Sequence, residues 1–215
     1  QPLGRRFTFE ARVSQGRAER GYFWVSIHGL DYTCTMSKRS IYLVGLMAVG
    51  KSTVGRQLAK MLDMPFFDAD HEIENRTGAE ISWIFDVEGE EGFRDREAAV
   101  IDELTQQQGI VLATGGGAIL REANRRHLAA RGIVVHLDSS IEKLIARTRR
   151  DTKRPLLQSP NPARTLGELK RKRDPLYSEI ADYRVMTDHR GAGVVARKIL
   201  KVLDKEHCMQ TQVSS

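Results

Sequence analysis

From Ser40 onward, short and almost continuously apolar runs alternate with longer segments whose apolar residues recur every three or four positions. The short runs, Ile41–Val44, 65–67, 110–113, 133–137 and Tyr183–Met186, have strand length and predict strands buried on both faces. The helical period predicts helices over Lys51–Leu62, 70–76, 81–87, 90–107, Glu122–Arg131, 140–150, 164–173 and 192–204. Such alternation predicts an α/β domain of three layers, with a five-stranded parallel sheet between helices. Ligands of these sheets bind beyond the carboxyl ends of the strands. Chemistry-bearing residues are therefore sought at 45–53, 68–70, 114–117 and the helices that follow.

The first of these exits reads Gly45-Leu-Met-Ala-Val-Gly50-Lys51-Ser52-Thr53, a G-x-x-x-x-G-K-S turn between a strand and a helix. That context marks a P-loop, and with it a P-loop NTPase fold. Backbone amides of Ala48, Val49, Gly50, Lys51, Ser52 and Thr53 would face phosphate oxygens at the positive end of the helix dipole. Lys51 would reach the β- and γ-phosphates of a nucleotide, and the Ser52 hydroxyl would sit on Mg²⁺.

Composition narrows the class without naming it. The chain has 215 residues, 40% hydrophobic and 29% charged, enough for one domain with appendages. No run of about 18 apolar residues predicts a membrane span. Cys34 and Cys208 lie outside any metal-ligand spacing, so a reducing cytoplasm is the expected compartment. The net charge is +6, but 142–174 alone holds eleven Lys and Arg against four Asp and Glu. Without interleaved aromatics this stretch reads as a cationic lid over polyphosphate, at about 150–163, rather than a nucleic-acid surface. Residues 1–39 show no amphipathic period and no signal-peptide pattern. They are expected to be a disordered or non-native extension before a start at Met36. A P-loop domain over 40–205 and a flexible tail over 206–215 complete the expected organisation.

Further residues fit phosphoryl transfer. Asp68 and Asp70 close the second strand, and two carboxylates there can serve Mg²⁺ and an attacking hydroxyl; a helix N-cap is the plainer role for either alone. Arg94 and Glu97 share a helix face, so Glu97 can hold a guanidinium that presents its fork to an anion. By itself that motif is more commonly a solvated surface pair. Gly115, Gly116 and Gly117 follow a buried strand, where missing side chains mark close approach of another group. Arg154 is an arginine-finger candidate, Arg147 could pack on an adenine, and within KRKRDPLY (170–177) most charges read as a solvated face with one arginine turned inward.

In order and spacing these motifs resemble the shikimate kinase family: the P-loop, Asp68-Ala-Asp70, Phe93-Arg94-x-x-Glu97, the triple glycine, Arg154-Pro-Leu-Leu and Arg173-x-Pro-Leu-Tyr177. The similarity spans about 40–204. It implies a nucleoside-monophosphate-kinase-like P-loop fold with a mobile lid, and transfer of the ATP γ-phosphate to the 3-hydroxyl of shikimate in aromatic amino-acid biosynthesis. By that resemblance Asp70 is the base, with Lys51 and Arg154 as its catalytic partners on the phosphates. Arg94, Gly115, Gly116, Gly117 and Arg173 bind shikimate, the two arginines on its carboxylate. Ser52 ligates one Mg²⁺ per subunit and Asp68 supports it through water; Arg147 and Arg190 lie near the adenine. The expected protein is a cytoplasmic monomer with no nucleic-acid or membrane partner. The family usually carries glycine where this chain has Ala48, which predicts altered ATP affinity if that backbone needs a positive φ. Competing readings are a kinase for gluconate or a nucleoside monophosphate, a nucleotide-binding module without catalysis, and a basic nucleic-acid binder.

Overall fold

Five parallel strands form the sheet, in the order β4-β5-β3-β6-β7. They are β3 (Ile41–Val44), β4 (Phe66–Asp68), β5 (Val111–Ala113), β6 (Ile133–Asp138) and β7 (Tyr183–Met186), each within a residue or so of its predicted position. The central strand β3 pairs Leu43 with Ala113 on one side and with Val135 on the other. The computed structural model describes residues 39–148, 161–187 and 191–213, together with the strands β1 (Phe23–Ile27) and β2 (Leu30–Cys34). The chain divides into two units, Gln1–Ser37 and Lys38–Ser215. In the first, β1 and β2 pair antiparallel with Ile27 opposite Leu30, in a stretch where the sequence predicts no element.

In the second unit, helices α1 (Lys51–Leu62) and α7 (Ala192–Val213) pack together, as do α3 (Ile81–Gln106) and α4 (Glu122–Arg131). Alternation along β3 directs neighbouring side chains to these two layers. Leu43 lies against Gly55 of α1, whereas the Tyr42 hydroxyl donates to the carbonyls of Thr105 (3.3 Å) and Arg131 (3.2 Å) at the ends of α3 and α4. All four residues of β3 are buried, which is why the strand reads as an unbroken apolar run. Helix α3 carries a non-helical Gly89 (φ 73°, ψ −177°), so two helices meet at a kink where the sequence separates 81–87 from 90–107.

Two helices run longer than predicted. Helix α6 (Pro162–Ile180) continues past the expected end at Arg173 and through Pro175. Packing of Leu166, Arg173, Tyr177 and Ile180 outweighs the one hydrogen bond the proline removes. Helix α7 continues to Val213, past the expected end at 204. Helices α2 (Ala69–Thr77) and α5 (Ile141–Thr148) complete the unit, and no described helix is long and apolar enough to cross a membrane.

One buried side chain gives this fold a pH dependence. His136 of β6 stacks on Tyr177 of α6, ring centroids 4.8 Å apart. Burial lowers its pKa to about 4; Asp138 and Asp174 pull it up, while Arg184 and Lys170 oppose them. The unfolded imidazole titrates near 6.5, so between these values the unfolded chain binds the extra proton and stability falls as pH falls. We expect the His136 contribution to cost about 2 kcal/mol between pH 7 and pH 5. Urea unfolding of the wild type and His136→Phe at both values checks this: the substitution should flatten the slope.

Candidate active site

The P-loop joins β3 to α1, and its end is built for an anion. Gly50 caps α1 with φ 102°, no side chain caps the helix, and its first turn holds no acidic residue. The helix amides and the positive end of the dipole are thus left to a ligand. Lys51 lies back over the turn, its ammonium donating to the carbonyls of Gly45 (2.8 Å) and Leu46 (2.9 Å). Ala48 has φ 61°, the left-handed conformation that the resemblance made a concern. A residue with a Cβ is strained there.

A cleft of about 410 Å³ opens above the strand ends, lined by 48–54 together with Asp68, Asp70, Thr114, Gly116, Arg147 and Thr187. Asp68 is the helix N-cap that its position alone suggests, and it also reaches the cleft. Its Oδ1 caps α2, accepting from the amides of Asp70 (3.2 Å) and His71 (3.5 Å), while the side chain still lines the cleft. Arg147 of α5 spends its fork on the turn and on Thr187, whose hydroxyl accepts from Nη1 at 3.2 Å. Its Nη1 donates to the carbonyls of Val49 (2.9 Å) and Ala48 (3.3 Å), and its Nη2 to that of Thr187 (2.9 Å). It therefore ties the strained turn to the end of β7.

The triple glycine is where the other predicted residues meet. A Cβ on Gly115 would lie 2.3 Å from Glu97 Oε1 and 2.8 Å from Asp70 Oδ1. On Gly117 it would lie 2.4 Å from Arg94 Nη2, and on Gly116 it would lie 3.1 Å from the amide of Met47 in the P-loop. The run is glycine because functional groups occupy the space side chains would take. The Gly116 carbonyl points the other way and accepts from Arg173 Nη1 (3.1 Å) and the Tyr177 hydroxyl (2.6 Å). Burial pushes the Tyr177 phenol up, keeping it a donor.

The Arg94–Glu97 pair is not the surface ion pair that its local pattern favours. Glu97 is 0% exposed and Arg94 11%, with 2.6 Å between Nη1 and Oε2. Burial raises the Glu97 carboxyl, Arg94 pulls it down, and nearby Asp70 adds to the rise. Glu97 Oε1 and Arg94 Nε make no hydrogen bond among the described residues, so the pair retains unspent capacity beside the glycines. Of the 170–173 cations, Arg173 alone is buried, the one turned inward. Arg154 and Arg190 lie outside the described residues, as does the expected lid up to residue 160; its last residues, 161–163, open α6. The sequence reading assigned no role to Tyr177, Thr187 or Asp138; their placement depends on which strands become neighbours.

The family model for shikimate kinase matches residues 47–204. The chain belongs to the shikimate kinase family. It is 60% identical to a shikimate kinase of Vibrio parahaemolyticus over 168 residues, 78% of this chain and 98% of that relative. Its fold matches a shikimate kinase from Acinetobacter baumannii solved in complex with shikimate, with a TM-score of 0.77 and 51% identity over 79% of this chain and 94% of that one. A gluconokinase from Sinorhizobium meliloti covers 81% of this chain and 97% of its own with a TM-score of 0.54 and 19% identity, a likeness of fold alone. Within the family, then, this chain is one whose P-loop holds alanine in a left-handed conformation.

Relief of that strain is measurable. Ala48→Gly should stabilise the protein by about 1 kcal/mol, read as a higher urea midpoint with an unchanged slope. An unchanged or lower midpoint would show the left-handed alanine to be cost-free.

Proposed function

We propose that this chain phosphorylates shikimate with ATP, through the residues gathered around the triple glycine. The 3-hydroxyl oxygen attacks the γ-phosphorus, the bond from phosphorus to the ADP oxygen breaks, and the hydroxyl proton passes to Asp70. Shikimate 3-phosphate and ADP are the products. The observation that carries this reading is the convergence on one turn of Asp70 beside Gly115, Arg94 beside Gly117 and Arg173 on Gly116, with the P-loop amide of Met47 against the same turn.

In this reading the two guanidiniums receive the shikimate carboxylate, and Glu97 holds Arg94 in aim. The Lys51 ammonium exchanges the Gly45 and Leu46 carbonyls for phosphate oxygens, where it offsets the developing charge. The turn at 48–53 takes the ATP phosphates, and Arg147, with its side chain in the cleft, lies toward the adenine. Arg154 on the phosphates and Arg190 near the base rest on the family motif alone. One Mg²⁺ per subunit belongs to this reading, held by Ser52 and, through water, by Asp68. Both residues line the cleft and offer hard oxygen donors, and Asp68 commits only Oδ1 to its helix cap. Bound there, the ion would neutralise charge on the phosphates. The protein acts as a cytoplasmic monomer on small molecules, with no nucleic-acid or membrane partner.

A coupled assay of ADP release with shikimate, gluconate and AMP as acceptors separates this reading from its rivals. Turnover is expected with shikimate alone, and none with shikimate would overturn it. Asp70→Asn should lower kcat by at least about 100-fold with ATP affinity nearly intact, since general-base assistance is of that order; normal turnover would remove Asp70 from that role. Arg94→Ala should weaken shikimate binding by about 2–5 kcal/mol, as for a desolvated charge pair. An unchanged shikimate KM would exclude Arg94 from the clamp.

A further inference from the structure

Helix α6 supplies Arg173 and Tyr177 to the Gly116 carbonyl, and Pro175 interrupts it between them. Proline has no N–H to give to the Arg171 carbonyl, so the backbone is weakest where the two contacts must stay in register. Support has to come from outside the helix, and β6 provides it on both sides of the proline. His136 stacks on Tyr177 after it. Two residues along the same face of β6, Asp138 takes hold before it: its Oδ1 accepts from Lys170 Nζ of α6.

Asp138 is itself held firmly. Its side chain is 7% exposed, and its Oδ2 accepts from Arg184 of β7, at 2.5 Å from Nη2 and 3.2 Å from Nε. Its carbonyl accepts from the Thr187 amide (2.8 Å) and hydroxyl (3.2 Å). Asp174 Oδ2 lies 3.4 Å from Lys170 and 3.6 Å from Arg184, so two aspartates face two cations. Ligand atoms of His136, Asp138 and Asp174 do come within 4.8 Å of one another, as in a metal site. Both Asp138 oxygens already hold cations from the chain, which closes the cluster as an ion network.

Lys170, Arg173, Asp174 and Tyr177 are spaced i, i+3, i+4 and i+7, one face of the helix. Gripping Lys170 therefore sets the rotation of the turn that aims Arg173. We propose that Asp138 is a positioning residue for the acceptor: through Lys170 it fixes the first half of α6 and keeps the Arg173 guanidinium on Gly116. The proposal rests on the assignment of Arg173 and Gly116 to shikimate.

Steady-state kinetics with each substrate varied tests it, with thermal unfolding of every variant alongside. Asp138→Asn keeps the backbone bonds and removes the charge; it should raise shikimate KM about tenfold, the scale of a small misplacement, with kcat and ATP KM within about twofold. Lys170→Met cuts the same tie from the more exposed partner, a change expected to fold, and should show the same split. The double variant should be no worse than the more affected single one, because both remove one interaction. Asp138→Glu, which keeps the charge, should recover part of the loss. Unchanged shikimate KM in both single variants, or parallel loss of kcat and ATP affinity, would overturn the proposal. Arg173→Met run alongside separates the two levels. If it leaves shikimate KM unchanged, the acceptor-site reading fails; if it raises KM while the Asp138 and Lys170 variants do not, only the anchor fails.

Discussion

The 115–117 backbone sets the distances on which the rest of the site depends, because it occupies space no side chain could share. Asp70 and Glu97 close on Gly115, Arg94 on Gly117 and the P-loop amide of Met47 on Gly116. A single Cβ at either end would push a carboxylate or a guanidinium out of line. The run follows β5, which lies beside β3, so the Thr114 amide bonds the Leu43 carbonyl (3.1 Å) and the turn starts level with the P-loop. Sheet register thus determines how near an acceptor would sit to the donor phosphates.

Around this turn the charges are arranged so that binding changes partners rather than creating charge. Lys51 rests on carbonyls of its own loop, and Arg147 on those of the strained turn. Arg94 is neutralised by a fully buried Glu97, a pair that breaking from one side would leave uncompensated. Arg173 rests on a carbonyl dipole. Lys51, Arg147 and Arg173 can therefore turn to an anionic ligand at a modest cost in lost contacts, whereas Arg94 keeps Glu97 and has only its remaining donors to offer.

Much of this was legible in the chain. The strands were readable because the central ones, β3 and β5, are covered on both faces and so apolar along their length, with mostly apolar neighbours beside them. The glycine run, the Asp68–Asp70 pair and the lysine of the loop were readable because their spacing is local and the chemistry admits few residue types. Reading failed where burial or long-range pairing decides. Arg94–Glu97 has the spacing of a surface pair, and only the packing of α3 against the glycines makes it a core one. Helix α6 runs past its expected end at Arg173 because contacts that carry it through Pro175 come from β6 and the Gly116 carbonyl. Asp138 carried no signal at all, its partners being 32 and 46 residues away.

The sequence alone, then, determined the elements, the phosphate-binding loop and the residue types brought to the strand ends, because each is specified within a turn or two of chain. It also singled out Ala48 as out of place. Only the tertiary structure decided that Ala48 adopts φ 61° and is tied through Arg147 to Thr187. It alone placed Asp70 and Arg94 against one turn, and left one arginine of a basic run buried on the Gly116 carbonyl. Those outcomes depend on which strands become neighbours, and that is fixed by the burial of the whole sheet rather than by any one segment.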